Sequence, residues 1–247
     1  VILCARRLML TGEDCRLRVR EIGFDPAMLK LTLQYGVPAG LQNSVIGFAN
    51  VVVQSNINIF GTMAVAGCGA YTKIEGFAFL PITSMTIAIA TFVGQNLGAR
   101  EYDRARRGAR FGIVSCLVMA ELVGLVLFLA APVLLGAFTD EPEAIAFGVQ
   151  KCRTCSLFFF LMSMSHCLSA VLRGAGRAAI PMATMLTFWC VVRVSLLKIL
   201  VPVFRTIAVV NWVYPITWSL STVTLLLYYF RADWVHSFES SPAGAKA

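Results

Sequence analysis

Charge is scarce in this sequence. Asp, Glu, Lys and Arg make up 14% of its 247 residues, against about a quarter in soluble globular domains. That shortage excludes a water-solvated surface around most of the chain. Histidine is nearly missing, with two residues. No further Cys or His follows the Cys152–Cys155 pair at metal-ligand spacing, so the usual zinc motifs are excluded. No nucleophile, base and orienting group recur together, which argues against an enzyme. The apolar stretches do not alternate with polar residues, so helices fit better than barrel strands. Carboxylates are absent from Leu31 to Lys73 and from Ala144 to Leu172.

Long apolar runs are what the chain does have. Val45–Val53, Phe77–Val93, Gly112–Leu135, Leu157–Leu172 and Met182–Val203 carry few charges, and a spanning helix needs about 20 mostly apolar residues. The pattern predicts an all-α polytopic membrane protein with a six-helix transmembrane bundle. The spans are expected at 33–59, 65–95, 108–132, 148–172, 181–203 and 208–230. Residues 1–30 read as the end of a preceding helix plus a cytoplasmic linker, 31–231 as the bundle, and 232–247 as a cytoplasmic tail. The opening "VILCARRLML" resembles the tail of a span with its basic stop, so the chain reads as lacking its own beginning.

Basic residues set the orientation. About fifteen of the 21 Lys and Arg fall at ends that share one side, including Arg100, Arg104, Arg106, Arg107 and Arg110. The other side holds Lys73, Lys151, Arg153 and Arg205. Positive loops stay cytoplasmic, so both termini are expected there and the Phe138–Ile145 loop outside. The net charge of +8 then reflects topology and contact with anionic lipid heads rather than nucleic-acid binding.

Polar groups inside the spans are the candidates for function. Gly36, Gly40, Asn43, Gly47, Asn50, Gln54 and Asn58 fall on one face of the first span. They serve either as helix–helix glue or as a cavity wall. Glu75 lies near mid-membrane in the second span, with Tyr71 and Thr86 on its face. A lone ionised carboxylate there is costly, so it should face the bundle interior or take up a proton. Lys73 points away from it, because residues two apart do not share a helix face. Glu121, in "VMAELVG", is a second buried acid whose face offers no polar support. Arg193 in the fifth span cannot lose its proton and needs an anion or a wet cavity; Glu75 and Glu121 are its natural partners. His166 reads as a hydrogen-bonded core residue or a proton relay. Pro81 and Pro215 are expected to bend their helices.

Several segments in order resemble the MATE (multidrug and toxic compound extrusion) transporters, bacterial members above all. They are "GVPAGLQNSVIGFANVVVQSNINIFGTMAVAG", "IEGFAF", "GQNLGAREYDRARRGAR", "LLGAFTDEPEAIAFG" and "VLRGAGRAAIPM". The resemblance implies twelve helices in two lobes, of which this chain is the second. It also implies export of amphipathic cationic compounds against H⁺ or Na⁺ from the bacterial inner membrane, with no other cofactor and no metal. The acids that bind the cation in one branch of the family, on the first and fourth helices of this lobe, have no counterpart here. Glu75 is the remaining candidate for the coupling ion, with Glu121 second. Asn43, Asn50, Gln54, Tyr71, Thr86 and Arg193 are the expected cavity residues. Two rival readings are a lipid-linked oligosaccharide flippase of the same superfamily and a truncated lobe that needs a partner. Cavity charge separates the cargoes: net negative favours cations, net positive favours lipid phosphates.

Overall fold

Every apolar run becomes a helix. The computed structural model describes residues 23–236 together with Arg6, Met9 and Leu10, and among those residues no strand forms. The helices are α1 Pro26–Asn58, α2 Thr62–Gly98, α3 Tyr102–Gly136, α4 Pro142–Ser156, α5 Phe159–Gly174, α6 Ala179–Phe204 and α7 Ile207–Arg231. Helices α2, α3 and α6 are long and apolar enough to cross a membrane, and α4 with α5 makes one further span bent by 53°. At 33 and 25 residues α1 and α7 have the length, but Asn, Gln, Ser and Thr dilute their apolarity.

Contacts divide the chain into two units, 1–40 and 41–247, with the division inside α1. In the first unit Asp25 starts α1. Its carboxylate accepts hydrogen bonds from the backbone N–H of Ala27 at 2.8 Å and of Met28 at 3.2 Å, and Pro26 fills the first helical position, where no N–H is needed. Phe24, Met28, Leu33 and Val37 are exposed. The Asn43 side chain, the remaining residues before 23, and the tail beyond 236 lie outside the described residues.

In the second unit α3 shows the solvent for which the chain is built. Its buried face is small: Ala105, Ala109, Gly112, Cys116, Ala120, Gly124 and Ala131. Its exposed face is large: Phe111, Val114, Val118, Leu122, Leu125, Leu129 and Val133. Water would expel that arrangement; hydrocarbon accepts it, because small residues let backbones close together while bulky ones meet lipid. Helix α2 packs against α3, α4 and α5, and α7 packs against α4, α5 and α6. Thr222 ties α7 to α5 by donating to the Leu161 carbonyl at 2.8 Å. One apolar cluster runs from Tyr71 through Phe159 to Trp218. A second joins Val53 and Ile57 of α1 with Leu197, Val201 and Val210. The chain after α7 returns to the bundle: Trp234 and Val235 are buried, and the Trp234 ring stacks on Tyr229 with centroids 5.4 Å apart.

The sharpest break falls between Ser156 and Phe159, not at a proline, while α2 and α7 run on through Pro81 and Pro215. Helix α3 receives the broken turn. A Cβ on Gly124 would stand 2.7 Å from the Ser156 carbonyl oxygen. One turn earlier, the Glu121 carboxylate accepts a hydrogen bond from the Phe160 N–H at 3.0 Å. An inserted side chain of this kind is one of the few ways to break a helix without proline.

Candidate functional site

Five helices of the second unit, together with the second half of α1, enclose a cavity of about 340 Å³. Glu75 comes from α2. It is partly exposed, and its Oε1 accepts a hydrogen bond from the Tyr71 hydroxyl at 2.9 Å. Tyr71 is fully buried and stands behind the wall rather than in it. Lys73 turns outward over the Phe138 ring, 5.8 Å from its centroid, as helical spacing requires.

Lys151 comes from α4. Gly148, one turn before it, meets Gly67 backbone to backbone; a Cβ on Gly67 would lie 2.9 Å from the Gly148 nitrogen. That crossing carries Lys151 inside, where it is 2% exposed. Its Nζ lies over two rings, 5.4 Å from the centroid of Tyr71 and 5.1 Å from that of Tyr214. Lys151 is therefore an interior residue and not one of the outer-loop charges, where the distribution of Lys and Arg puts it. The signal was present: Gly148, Lys151, Cys152 and Cys155 share one helical face, and all four are buried. The two cysteines are free thiols packed behind the lysine.

Helix α6 supplies Trp189 and Arg193. The backbone from Leu186 to Val192 is π-helical, a form found mostly as short insertions near functional sites. Arg193 is 2% exposed. Its Cζ lies 4.5 Å from the Tyr214 ring centroid and 5.1 Å from that of Trp189. Its Nη2 donates to Thr217 Oγ1 at 2.9 Å, while its Nε has no partner. From α5, His166 sits between the rings of Phe79 and Trp189, at 4.9 and 5.3 Å, and its Nε2 is likewise unpartnered. Asn50 and Gln54 of α1, Met162 of α5, and Tyr214 and Trp218 of α7 also line it.

The electrostatics follow from this list. Lys151 and Arg193 both lie near enough to act on Glu75. Yet among the described residues the ion pair within 4 Å is His236 with Asp233, far along the chain from the cavity. Aromatic faces, not carboxylates, hold the two cations. The three charges make the cavity net positive by one with the carboxylate ionised, and by two once it is neutralised.

Of the expected residues, the structure brings Glu75, Asn50, Gln54 and Arg193 together at the cavity, with Tyr71 as support. Thr86 is buried, donates to the Thr83 carbonyl at 2.8 Å, and does not line the cavity; it has the right face but lies three turns too far along α2. Lys198 is exposed. Glu121 does not join the site. It is exposed on the outer face of α3, in a groove beside Leu117, Leu125 and Phe160, and its oxygen caps the start of α5. It was expected to be buried, but large residues face outward on this helix. Glu121→Ala should therefore cost about 1 kcal/mol of stability, as other lost caps do. Transport should be unchanged, and a thermal unfolding series with an efflux assay checks both.

The MatE family model matches residues 38–198. The chain belongs to the MatE family. It is 24% identical over 213 residues to the probable multidrug resistance protein YoeA of Bacillus subtilis, covering 85% of this chain and 46% of that one. It is 26% identical over 207 residues to the probable multidrug resistance protein NorM of Thermotoga maritima, covering 83% and 44%. Among solved structures it superposes on a MOP superfamily transporter from Pyrococcus furiosus with a TM-score of 0.82 at 19% identity, covering 95% of this chain and 53% of that one. That transporter is described as having a binding pocket of reverse polarity. This chain therefore spans about half the length of the proteins it matches. It is a membrane protein with an all-helical fold.

Proposed function

We propose that this chain is one lobe of a secondary active exporter of the multidrug class, coupled to H⁺ or Na⁺. The observation that carries this reading is Glu75. It is the carboxylate of an open cavity inside a helical membrane bundle, hydrogen-bonded to Tyr71 and not locked in an ion pair. A carboxylate so placed can exchange a cation as access alternates between the two sides. The names of the relatives support multidrug efflux. Amphipathic cations fit the antiport form of this reading, in which the coupling cation neutralises Glu75 and releases the cargo. Asn50 and Gln54 would offer polar contacts along the α1 wall. A second six-helix lobe is the required partner. The surrounding lipids are those of a bacterial inner membrane, with both termini cytoplasmic by the distribution of Lys and Arg.

The gene-encoded protein in proteoliposomes tests this reading. An imposed H⁺ or Na⁺ gradient should drive a fluorescent amphiphile uphill. No accumulation with either gradient would remove the exporter assignment. A second reading, transport of a lipid-linked or other phosphate, is favoured by the positive cavity that Lys151 and Arg193 create.

A further inference from the structure

We infer that this cavity binds an aromatic organic anion, with the acid group between Lys151 and Arg193 and the ring against Phe79, Met162 and Trp218. The inference puts an anion in the place of the amphipathic cation as cargo and rests on the transport reading only for the claim that the anion is moved.

The donor inventory is the first support. Arg193 Nε and Trp218 Nε1 are buried donors without a partner, and both residues line the cavity. Lys151 brings three N–H donors, and its Nζ lies against two ring faces. Against these stand the oxygens of Glu75, one of which already accepts from Tyr71, and the amide oxygens of Asn50 and Gln54. Unmade hydrogen bonds of buried charged groups are costly, so these donors favour an acceptor-rich guest.

The aromatic faces are the second support, and they argue independently of the charge. A site for an organic cation offers open ring faces and a carboxylate. Here the faces of Tyr71, Tyr214 and Trp189 are already covered by the protein's own Lys151 and Arg193. An incoming cation would find those faces filled and a net positive field. An anion finds two cations that the rings leave unneutralised. The volume of about 340 Å³ lies at the small end of ligand pockets, ~300–1,000 Å³. That suits one fused ring pair and its acid group.

The third support is cost. Replacing buried charges by apolar side chains of similar volume is often neutral or stabilising. Two unpaired cations at this depth therefore oppose stability and are explained by what they bind.

The test is equilibrium binding, without transport, to the gene-encoded protein in phosphatidylcholine nanodiscs. Two fluorescent probes of matched size serve, naphthalenesulfonate and naphthyltrimethylammonium. The sulfonate should bind at least about tenfold tighter than the ammonium. Lys151→Met and Arg193→Met should each weaken sulfonate binding about tenfold, the loss of one charge-assisted hydrogen bond. Thermal unfolding reports whether each variant still folds, and Lys151→Arg should restore most of the affinity. Tighter binding of the ammonium overturns the assignment, as does wild-type sulfonate affinity in both Met variants. A further arm adds phosphatidylglycerol to the discs. If that lipid displaces the sulfonate completely at a few molecules per disc, the two cations serve a lipid head group and the small-molecule cargo is wrong. Failure of gradient-driven transport would leave these binding results intact, and loss of the anion preference would leave the exporter reading standing.

Discussion

Gly67→Leu is expected to yield no folded protein in the membrane. A Cβ at Gly67 would stand 2.1 Å from the Ala144 carbonyl oxygen and 2.9 Å from the Gly148 nitrogen. Both are backbone atoms, so no rotamer change relieves the clash; α2 and α4 must separate. The crossing is reciprocal, since a Cβ on Gly148 would meet the Gly67 oxygen and a Leu135 methyl, each at 2.8 Å. Overpacking a fitted core costs about 1–3 kcal/mol when side chains can adjust, and a displaced backbone costs more. Close approach of small residues is also the main attraction between helices in lipid, so the substitution removes the contact as well as adding a clash. The readout is the monodisperse fraction after detergent extraction. Gly69, two residues on, has open space around its Cβ direction, so Gly69→Ala should stabilise by about 0.5–1 kcal/mol through helix propensity. A well-folded Gly67→Leu protein would sink the crossing geometry. The milder Gly67→Ala has a second use. Lys151 is one turn from Gly148, so widening the crossing should cost ion coupling before it costs the fold.

That crossing also shows what could be read from the sequence and what could not. The apolar runs were legible, and each became a helix; even the break in the fourth span leaves its outer limits close to the expected ones. Facing was legible within a helix: Lys73 turns away from Glu75, and Arg193 lies on the inner face of α6. Depth was not, because a helical wheel fixes azimuth and says nothing of how far along the axis a cavity ends. Thr86 therefore has the right direction and the wrong level. Lys151 was hidden by its charge. Counting Lys and Arg for topology treats each as a loop residue, whereas the small, buried neighbours Gly148, Cys152 and Cys155 carry this one inside. Glu121 was misplaced for the opposite reason. The reading placed a lone acid among apolar residues inside, but lipid reverses that rule on α3, where Ala and Gly face in and Phe, Val and Leu face out. The break at Ser156–Phe159 has no local signal, because Gly124 and Glu121 of another helix make it possible.

Glu75→Gln is expected to keep the fold and abolish cation-coupled transport. The amide has the shape of the carboxylate, and its oxygen can still accept from the Tyr71 hydroxyl, now 2.9 Å away. What changes is exchange: the cavity is fixed in the state with two positive charges and no neutralisable anion. Uphill accumulation driven by H⁺ or Na⁺ should fall to that of protein-free vesicles, while thermal stability stays near wild type. Accumulation at the wild-type rate would take Glu75 out of the mechanism. The same variant reads the sign of coupling. A neutral side chain here removes the one charge that repels an anion, so naphthalenesulfonate should bind the Gln variant more tightly than wild type, and a naphthyl ammonium more weakly. In wild type, cation uptake at Glu75 and anion binding should then reinforce each other, so sulfonate affinity rises as pH falls; coupling of that sign is symport, in place of the antiport proposed for a cationic cargo. The charged and titratable groups near Glu75 are Tyr71 on its own helix, Lys151, Cys152 and Cys155 from α4, His166 from α5, Arg193 from α6 and Tyr214 from α7. If the ammonium probe instead binds wild type tightly and loses affinity in Glu75→Gln, neutralisation of the carboxylate expels cationic cargo. Transport is then antiport of a cation, with Lys151 and Arg193 serving to weaken its hold.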